Sequence, residues 1–246
     1  MNIHTKGYIL EKQIGGSIMF FLFEDNPHIA IIGDIIKSKK ITNRNEIQKK
    51  LKEVLDKINK NYENDISSKF IITLGDEFQG LLSNGINAMS IITEIERNMF
   101  PIKIRFGIGI GRISTDVNKE MALGADGPGY YKARDAIKYL KENENKKQTI
   151  SADIRLEVEG KNQATTLMLN TILTLMTAIK QTWSLRQREI IWDMLEHEDS
   201  QIEVAKRLKI KQPSVQKSFS KGKYYTYKNS LDTISKALEE IKDDDF

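Results

Sequence analysis

Apolar and polar positions change their period several times along the first half of the chain. His28–Gly33 is a short run rich in β-branched residues, which predicts a buried strand. From Thr42 to Tyr62 apolar residues recur every three or four positions, which predicts a helix. Lys69–Leu74 and Glu77–Leu82 predict two strands, and Gly75-Asp76 between them is a turn signal. The chain is therefore expected to begin with a strand, a helix and a hairpin.

The next segments complete a pattern of alternating strands and helices. Asn84–Met99 has helical spacing, and Ile102–Gly111 alternates apolar residues with polar residues or glycine, as a strand does. Pro128 begins a helix that reaches about Lys141, and Thr149–Ala152 and Ile154–Val158 predict two closing strands. The order strand–helix–strand–strand–helix–strand predicts an α+β domain of the ferredoxin-like (βαββαβ) type over residues 28–160.

Three glycines share one face of the strand Ile102–Gly111. Gly107, Gly109 and Gly111 lie on the face opposite the isoleucines, so the backbone there is open to a close neighbour. Two interpretations stay open: a helix packs against this face, or a ligand approaches it.

The remaining residues, 163–246, predict an all-α domain. Gln163–Trp183 is a long apolar helix, and Ser184 with Gln187 forms a capping-box pattern that begins the helix Leu185–Glu196. The last helix is expected over Lys228–Ile241.

Two short helices between these segments have the spacing of a DNA-binding motif. Gln201–Leu208 and Gln212–Phe219 are separated by a turn of three residues. Ala205 is small enough for the two helices to approach, and Lys209 stands where many such turns have glycine, so a positive φ there would be strained. The segment EVAKRLKIKQPSVQKSF resembles a helix-turn-helix.

Composition and charge narrow the class of protein. The chain has 246 residues, 39% of them hydrophobic, and no cysteine, which fits a globular protein in a reducing compartment and leads us to expect a cytoplasmic location. No apolar run reaches the length of a membrane span. The net charge is only +4, but residues 201–228 contain eight Lys or Arg and one acidic residue, Glu203, which indicates a polyanionic partner.

Residues 1–27 are predicted to be an N-terminal extension outside both domains. Gly15-Gly16 could be encoded by a ribosome-binding sequence a short spacer before Met19. Two interpretations therefore stay open for residues 1–18: a flexible N-terminus, or an upstream extension of a protein that starts at Met19.

Two aspartates are candidates for a metal site. Asp34 is expected just after the first strand and Asp76 at the tip of the hairpin. The βαββαβ topology makes these strands neighbours, and two close carboxylates repel each other unless a cation lies between them. Oxygen ligands of this kind suit Mg²⁺ or Mn²⁺. Each aspartate alone could instead be a turn former or a helix cap.

The segments GDII, LGDEF and IRFGIGIG resemble the palm domains of class III nucleotidyl cyclases and GGDEF proteins. The resemblance implies that Asp34 and Asp76 bind metal, with Glu77 as a weaker ligand, and that the protein works as a homodimer. In GYYKAR, Lys132 or Arg134 would contact phosphate. The first glycine of the GGDEF pattern is Leu74 here, and the late asparagine–arginine pair of the cyclases has no clear match.

Over most of its length the chain resembles the SatD family. The segments AIIGDIIKSKKI, GADGPGYYKAR and SVQKSF carry this likeness. The family is associated with stress and acid adaptation, which the resemblance implies for this chain.

These patterns support two functions. The first is a DNA-binding regulator in which the α+β domain binds a nucleotide or metal as a sensor. Its expected DNA contacts are Arg207, Lys211, Gln212, Ser214, Gln216, Lys217, Lys221 and Lys223. The alternative is a metal-dependent nucleotidyl cyclase or nucleotidyltransferase that uses Asp34 and Asp76. The C-terminal cations could also be the solvated face of a protein-binding module.

Overall fold

The structure is a computed structural model, which describes residues 20–21, 23, 26–38, 43–122, 124, 126–144, 146 and 152–241. The two interpretations of residues 1–18, and residues 149–151 of the predicted strand, lie outside these ranges.

A mixed sheet of five strands forms the N-terminal part. The strands are β1 (His28–Ile35), β2 (Ile66–Leu74), β3 (Glu77–Leu82), β4 (Ile104–Gly111) and β5 (Ile154–Val158). Their order in the sheet is β2-β3-β1-β4-β5, with β1 antiparallel to both β3 and β4 and with β5 parallel to β4. The first four strands thus have the split βαββαβ arrangement that the sequence predicts, and the architecture is α+β.

Eight helices accompany the sheet in the described part of the chain. They are α1 (Arg44–Asn61), α2 (Ala88–Met99), α3 (Pro128–Asn143), α4 (Gln163–Gln181), α5 (Leu185–His197), α6 (Gln201–Arg207), α7 (Gln212–Gly222) and α8 (Tyr224–Glu239). The predicted capping box is present, since the Ser184 hydroxyl accepts the Gln187 backbone N–H while the Gln187 side chain accepts the Ser184 N–H.

Both faces of the sheet are covered by helices, and the residues of β1 show this because successive side chains of a strand point to opposite faces. Ile29 and Ile31 join the core formed with α1 and α2. Ala30 and Ile32 pack on the other face against α3. Asp34 continues this second set. It was expected after the strand, but it lies within β1 and on the α3 face.

The glycine face of β4 is occupied by α3. A Cβ added at Gly109 would lie 2.0 Å from the Gly129 carbonyl oxygen, and one at Gly107 would lie 2.4 Å from the Ala133 carbonyl oxygen. Such distances leave no space between the two backbones. Of the two interpretations left open for Gly107, Gly109 and Gly111, the structure therefore supports helix packing and not ligand access: the glycines let a helix pack directly on the strand.

The C-terminal helices share a continuous hydrophobic core with the sheet and its helices. A buried cation reinforces this packing: Lys180 Nζ of α4 lies 2.5 Å from Glu96 Oε1 of α2 and 3.1 Å from Asp153 Oδ2 beside β5. Burial tends to lower the pKa of Lys180, but the two carboxylates outweigh it and raise this pKa above its ordinary value. Within the described residues, no helix is long and apolar enough to cross a membrane.

Candidate functional sites

The two candidate aspartates lie at the same edge of the sheet, where β1 ends and the β2–β3 hairpin turns. We call Asp34, Asp76 and Glu77 together the acidic edge. Asp34 is directly opposite Glu77 in the β1–β3 register, and the Ile35 N–H donates to the Asp76 carbonyl oxygen at 3.1 Å. The backbone therefore brings these residues together, as the strand order predicts.

The carboxylate of Asp34 is almost fully buried and already has two cationic partners. Its residue is 5% exposed. Arg105 Nη1 lies 2.7 Å from Asp34 Oδ2, and Lys141 Nζ lies 2.8 Å from Asp34 Oδ1. The second terminal nitrogen of Arg105 donates to Glu144. Both oxygens of Asp34 are thus engaged by cations from β4 and α3.

Asp76 has a different environment. Its carboxylate accepts a hydrogen bond from the Ser38 hydroxyl, in the segment that follows β1. The cavity beside it is lined by Ile35, Ser38, Arg44 and Gly75 among others and measures about 10 Å³, which is room for about one water molecule. A nucleotide does not fit there. Two grooves of about 540 and 490 Å³ open elsewhere on the protein.

The donor set at the acidic edge does not fit a Mg²⁺ or Mn²⁺ site in this arrangement. The charge of Asp34 is balanced by Arg105 and Lys141, and Asp76 bonds to a separate partner. Among the described residues, no three His, Asp or Glu side chains come close enough together to hold a metal ion.

The cations expected to contact phosphate lie away from this edge. Lys132 and Arg134 are in the first two turns of α3, near the Gly109 end of β4, whereas Lys141 is in its last turn. With a rise of about 1.5 Å per residue, Arg134 is roughly 10 Å from Lys141 along the helix. The cations that lie beside Asp34 are Arg105 and Lys141.

Sequence reasoning overlooked Arg105 and Lys141, although one signal was available. Arg105 has the same parity on β4 as Gly107 and Gly109, so it faces α3 with them. That Arg105 meets Asp34 depends on the β1–β4 register, which pairs them directly. The register is a property of the sheet and not of either segment alone.

The second candidate site is formed by α6, α7 and the turn between them. Val204 and Ala205 of α6 and Val215 and Phe219 of α7 are buried, so each helix is anchored on one side. Lys209 in the turn has a φ of 51°, which is the strained conformation expected when a lysine replaces glycine.

The four lysines that were expected to contact DNA are exposed and have no side-chain partner among the described residues. Lys211, Lys217, Lys221 and Lys223 form no side-chain hydrogen bond or ion pair with any other residue that the structure describes. We call these four the lysine surface. Gln212, Ser214 and Gln216 are exposed beside it, and both glutamine side chains bond to Gln201, at 2.7 and 2.6 Å.

Arg207 does not belong to this surface, which corrects one expected DNA contact. Its guanidinium lies 2.7 Å from Asp193 Oδ1 and 2.5 Å from Asp199 Oδ2. The hydrogen bonds that Arg207 donates to Asp199 and Asp193 raise the pKa of Arg207, and the bond to Asp199 lowers the pKa of that carboxylate. Both aspartates precede the basic segment 201–228, so a charge count over that segment alone missed them.

The comparisons with known proteins identify the family. The SatD family model matches residues 28–235, and the chain belongs to the SatD family. No curated protein sequence matches it.

Solved structures that resemble part of the chain include three nucleotide cyclases. The dimeric guanylyl cyclase domain of a fusion protein from the aquatic fungus Blastocladiella emersonii is 17% identical over 46% of this chain and 73% of that one, with a TM-score of 0.35. A bacterial light-regulated adenylyl cyclase is 13% identical over 53% and 75%, with a TM-score of 0.39. The guanylate cyclase domain from Catenaria anguillulae, solved with GTP, is 16% identical over 44% and 70%, with a TM-score of 0.33. Similarity this low establishes neither a shared site nor a shared activity.

Proposed function

We propose that this protein is a DNA-binding regulatory protein that contacts DNA through the lysine surface of the α6–α7 module. The observation that supports this proposal is the absence of counter-charges: the structure describes no ion pair for Lys211, Lys217, Lys221 or Lys223. Cations without a nearby carboxylate attract an external polyanion strongly. The charge of Arg207, by contrast, is neutralised by Asp193 and Asp199.

The distribution of buried and exposed residues on α7 suits a helix that lies in the major groove. Val215 and Phe219 are buried against the protein, and Lys217 is on the opposite side of the helix. Ser214 and Lys221 lie one turn from Lys217 on the same exposed side. The α+β part then has the role of a sensor, and a role in stress or acid adaptation stays an expectation from the family resemblance. The comparisons provide no support for DNA as the partner.

The proposal is tested by the affinity for a fluorescently labelled random duplex, measured by anisotropy at low salt. Lys217→Ala combined with Lys221→Ala is expected to weaken binding roughly tenfold, because two phosphate contacts are lost. The matched control is Lys206→Ala, since Lys206 is on α6 and its Nζ lies 2.7 Å from Glu203. Equal affinities of the wild-type protein and the double variant would reject the proposal.

A second candidate function is that of a metal-dependent nucleotidyl cyclase or nucleotidyltransferase using Asp34 and Asp76, which would require Arg105 and Lys141 to give up their contacts with Asp34. One observation favours it: the hydrogen bond between Ile35 and Asp76 holds both aspartates at one edge of the sheet. The test is incubation with each nucleoside triphosphate and Mn²⁺, followed by mass spectrometry. A cyclic or linear nucleotide product that is lost in Asp76→Ala would establish this function, and retention of DNA by that variant would show that the two activities are separate.

A further inference from the structure

The cluster around Asp34 has a balanced charge without any bound ion. Two carboxylates, Asp34 and Glu144, alternate with two cations, Arg105 and Lys141. Asp34 and Arg105 are both almost fully buried, with side chains 7% and 8% exposed. A buried carboxylate needs such partners, because removing an unpaired charge from water is costly.

A divalent cation at Asp34 would have to displace these partners. It would stand next to Arg105 and Lys141, both of which carry the same sign of charge. The repulsion from Arg105 persists, because a guanidinium is a permanent cation. The Arg105 side chain is also buried and held by ion pairs with Asp34 and Glu144, so it does not turn out into solvent.

We infer that Arg105 and Lys141 supply at Asp34 the positive charge that a divalent metal ion supplies when carboxylates bind one. The cluster is an internal clamp that fastens the last turn of α3 to β1 and β4, and it has no affinity for a divalent cation. This inference concerns a site that the DNA proposal does not use, so either can fail without the other.

The first test measures a divalent probe directly on the full-length protein. Mn²⁺ alone is added, and the electron paramagnetic resonance signal of free Mn²⁺ reports how much is bound. The wild-type protein is expected to leave this signal unchanged at equimolar, high-micromolar concentrations, and its melting temperature is expected to be the same in EDTA and in Mg²⁺. Sequestration of Mn²⁺ that disappears in Asp34→Asn would overturn the inference.

The second test measures the clamp through a double-mutant cycle of Asp34→Asn and Lys141→Gln, read as unfolding by urea. The effect of the double variant on the equilibrium constant of unfolding is expected to differ roughly tenfold from the product of the two single effects. Additive effects would contradict the clamp.

If Asp34→Asn does not fold, single variants of α3 decide. Lys141→Gln is expected to raise the equilibrium constant of unfolding more than Lys138→Gln does, because Lys138 is exposed on the same helix and has no partner among the described residues. Equal effects of these two variants would also contradict the clamp.

Discussion

Replacing Gly109 by alanine tests whether the glycines of β4 serve helix packing or ligand access. The new Cβ would lie 2.0 Å from the Gly129 carbonyl oxygen and 2.2 Å from the Ala133 backbone nitrogen. Both contacts are with backbone, so no side-chain rotation relieves them, and α3 would have to move away from the sheet by about 1 Å or more to restore normal contact distances.

The cost follows from what α3 covers. Tyr130, Ala133 and Ile137 are buried between this helix and the sheet, so a shift of α3 loosens the whole cluster. Overpacking of a tight core costs typically 1–3 kcal/mol, and we expect Gly109→Ala to lower the free energy of unfolding by about 3 kcal/mol.

Urea denaturation followed by far-ultraviolet circular dichroism measures this loss. The control is Ser114→Ala, at an exposed position just beyond β4, which should change the free energy of unfolding by less than about 0.5 kcal/mol. An unfolding free energy of Gly109→Ala equal to that of the wild-type protein would refute the packing argument and return these glycines to the role of a ligand-approach surface.

Two further predictions concern buried ionisable groups. Lys180→Met leaves Glu96 and Asp153 without their cation and should cost about 3 kcal/mol in urea unfolding, whereas Lys206→Met, whose ion pair with Glu203 is exposed, should cost less than about 0.5 kcal/mol. Burial raises the pKa of Tyr227 to about 12, so the unfolded state releases this proton first. Stability from this group is complete below about pH 10 and falls by about 1.4 kcal/mol per pH unit up to about pH 12. Tyr227→Phe should remove that part of the alkaline slope, and an unchanged slope would contradict the assignment.

Elements with strong local patterns are predictable from this sequence. The alternation along β4 and the turn between β2 and β3 define strands without tertiary information, and the capping box at Ser184 fixes the start of α5 within a residue. The strand order that brings Asp34 and Asp76 to one edge also follows, because the βαββαβ sequence of elements has few possible topologies.

The chemistry of the acidic edge was not predictable in the same way. The cations that neutralise Asp34 come from β4 and from the far end of α3, which are distant in sequence, and their meeting depends on the register and on how α3 lies over the sheet. The same holds for Arg207, whose partners Asp193 and Asp199 belong to the preceding helix and loop. Patterns locate charged residues on elements, but ion pairing across elements depends on the packed structure.

The salt dependence of DNA binding tests the central proposal most directly. Each lysine that neutralises a phosphate contributes about 0.9 to the slope of log affinity against log salt concentration. The slope of the wild-type protein is therefore expected to be steep and negative, and Lys217→Ala with Lys221→Ala should make it shallower by about 2, while Lys206→Ala leaves it unchanged. A flat slope for the wild-type protein, or the same slope in the double variant, would contradict DNA binding through the lysine surface.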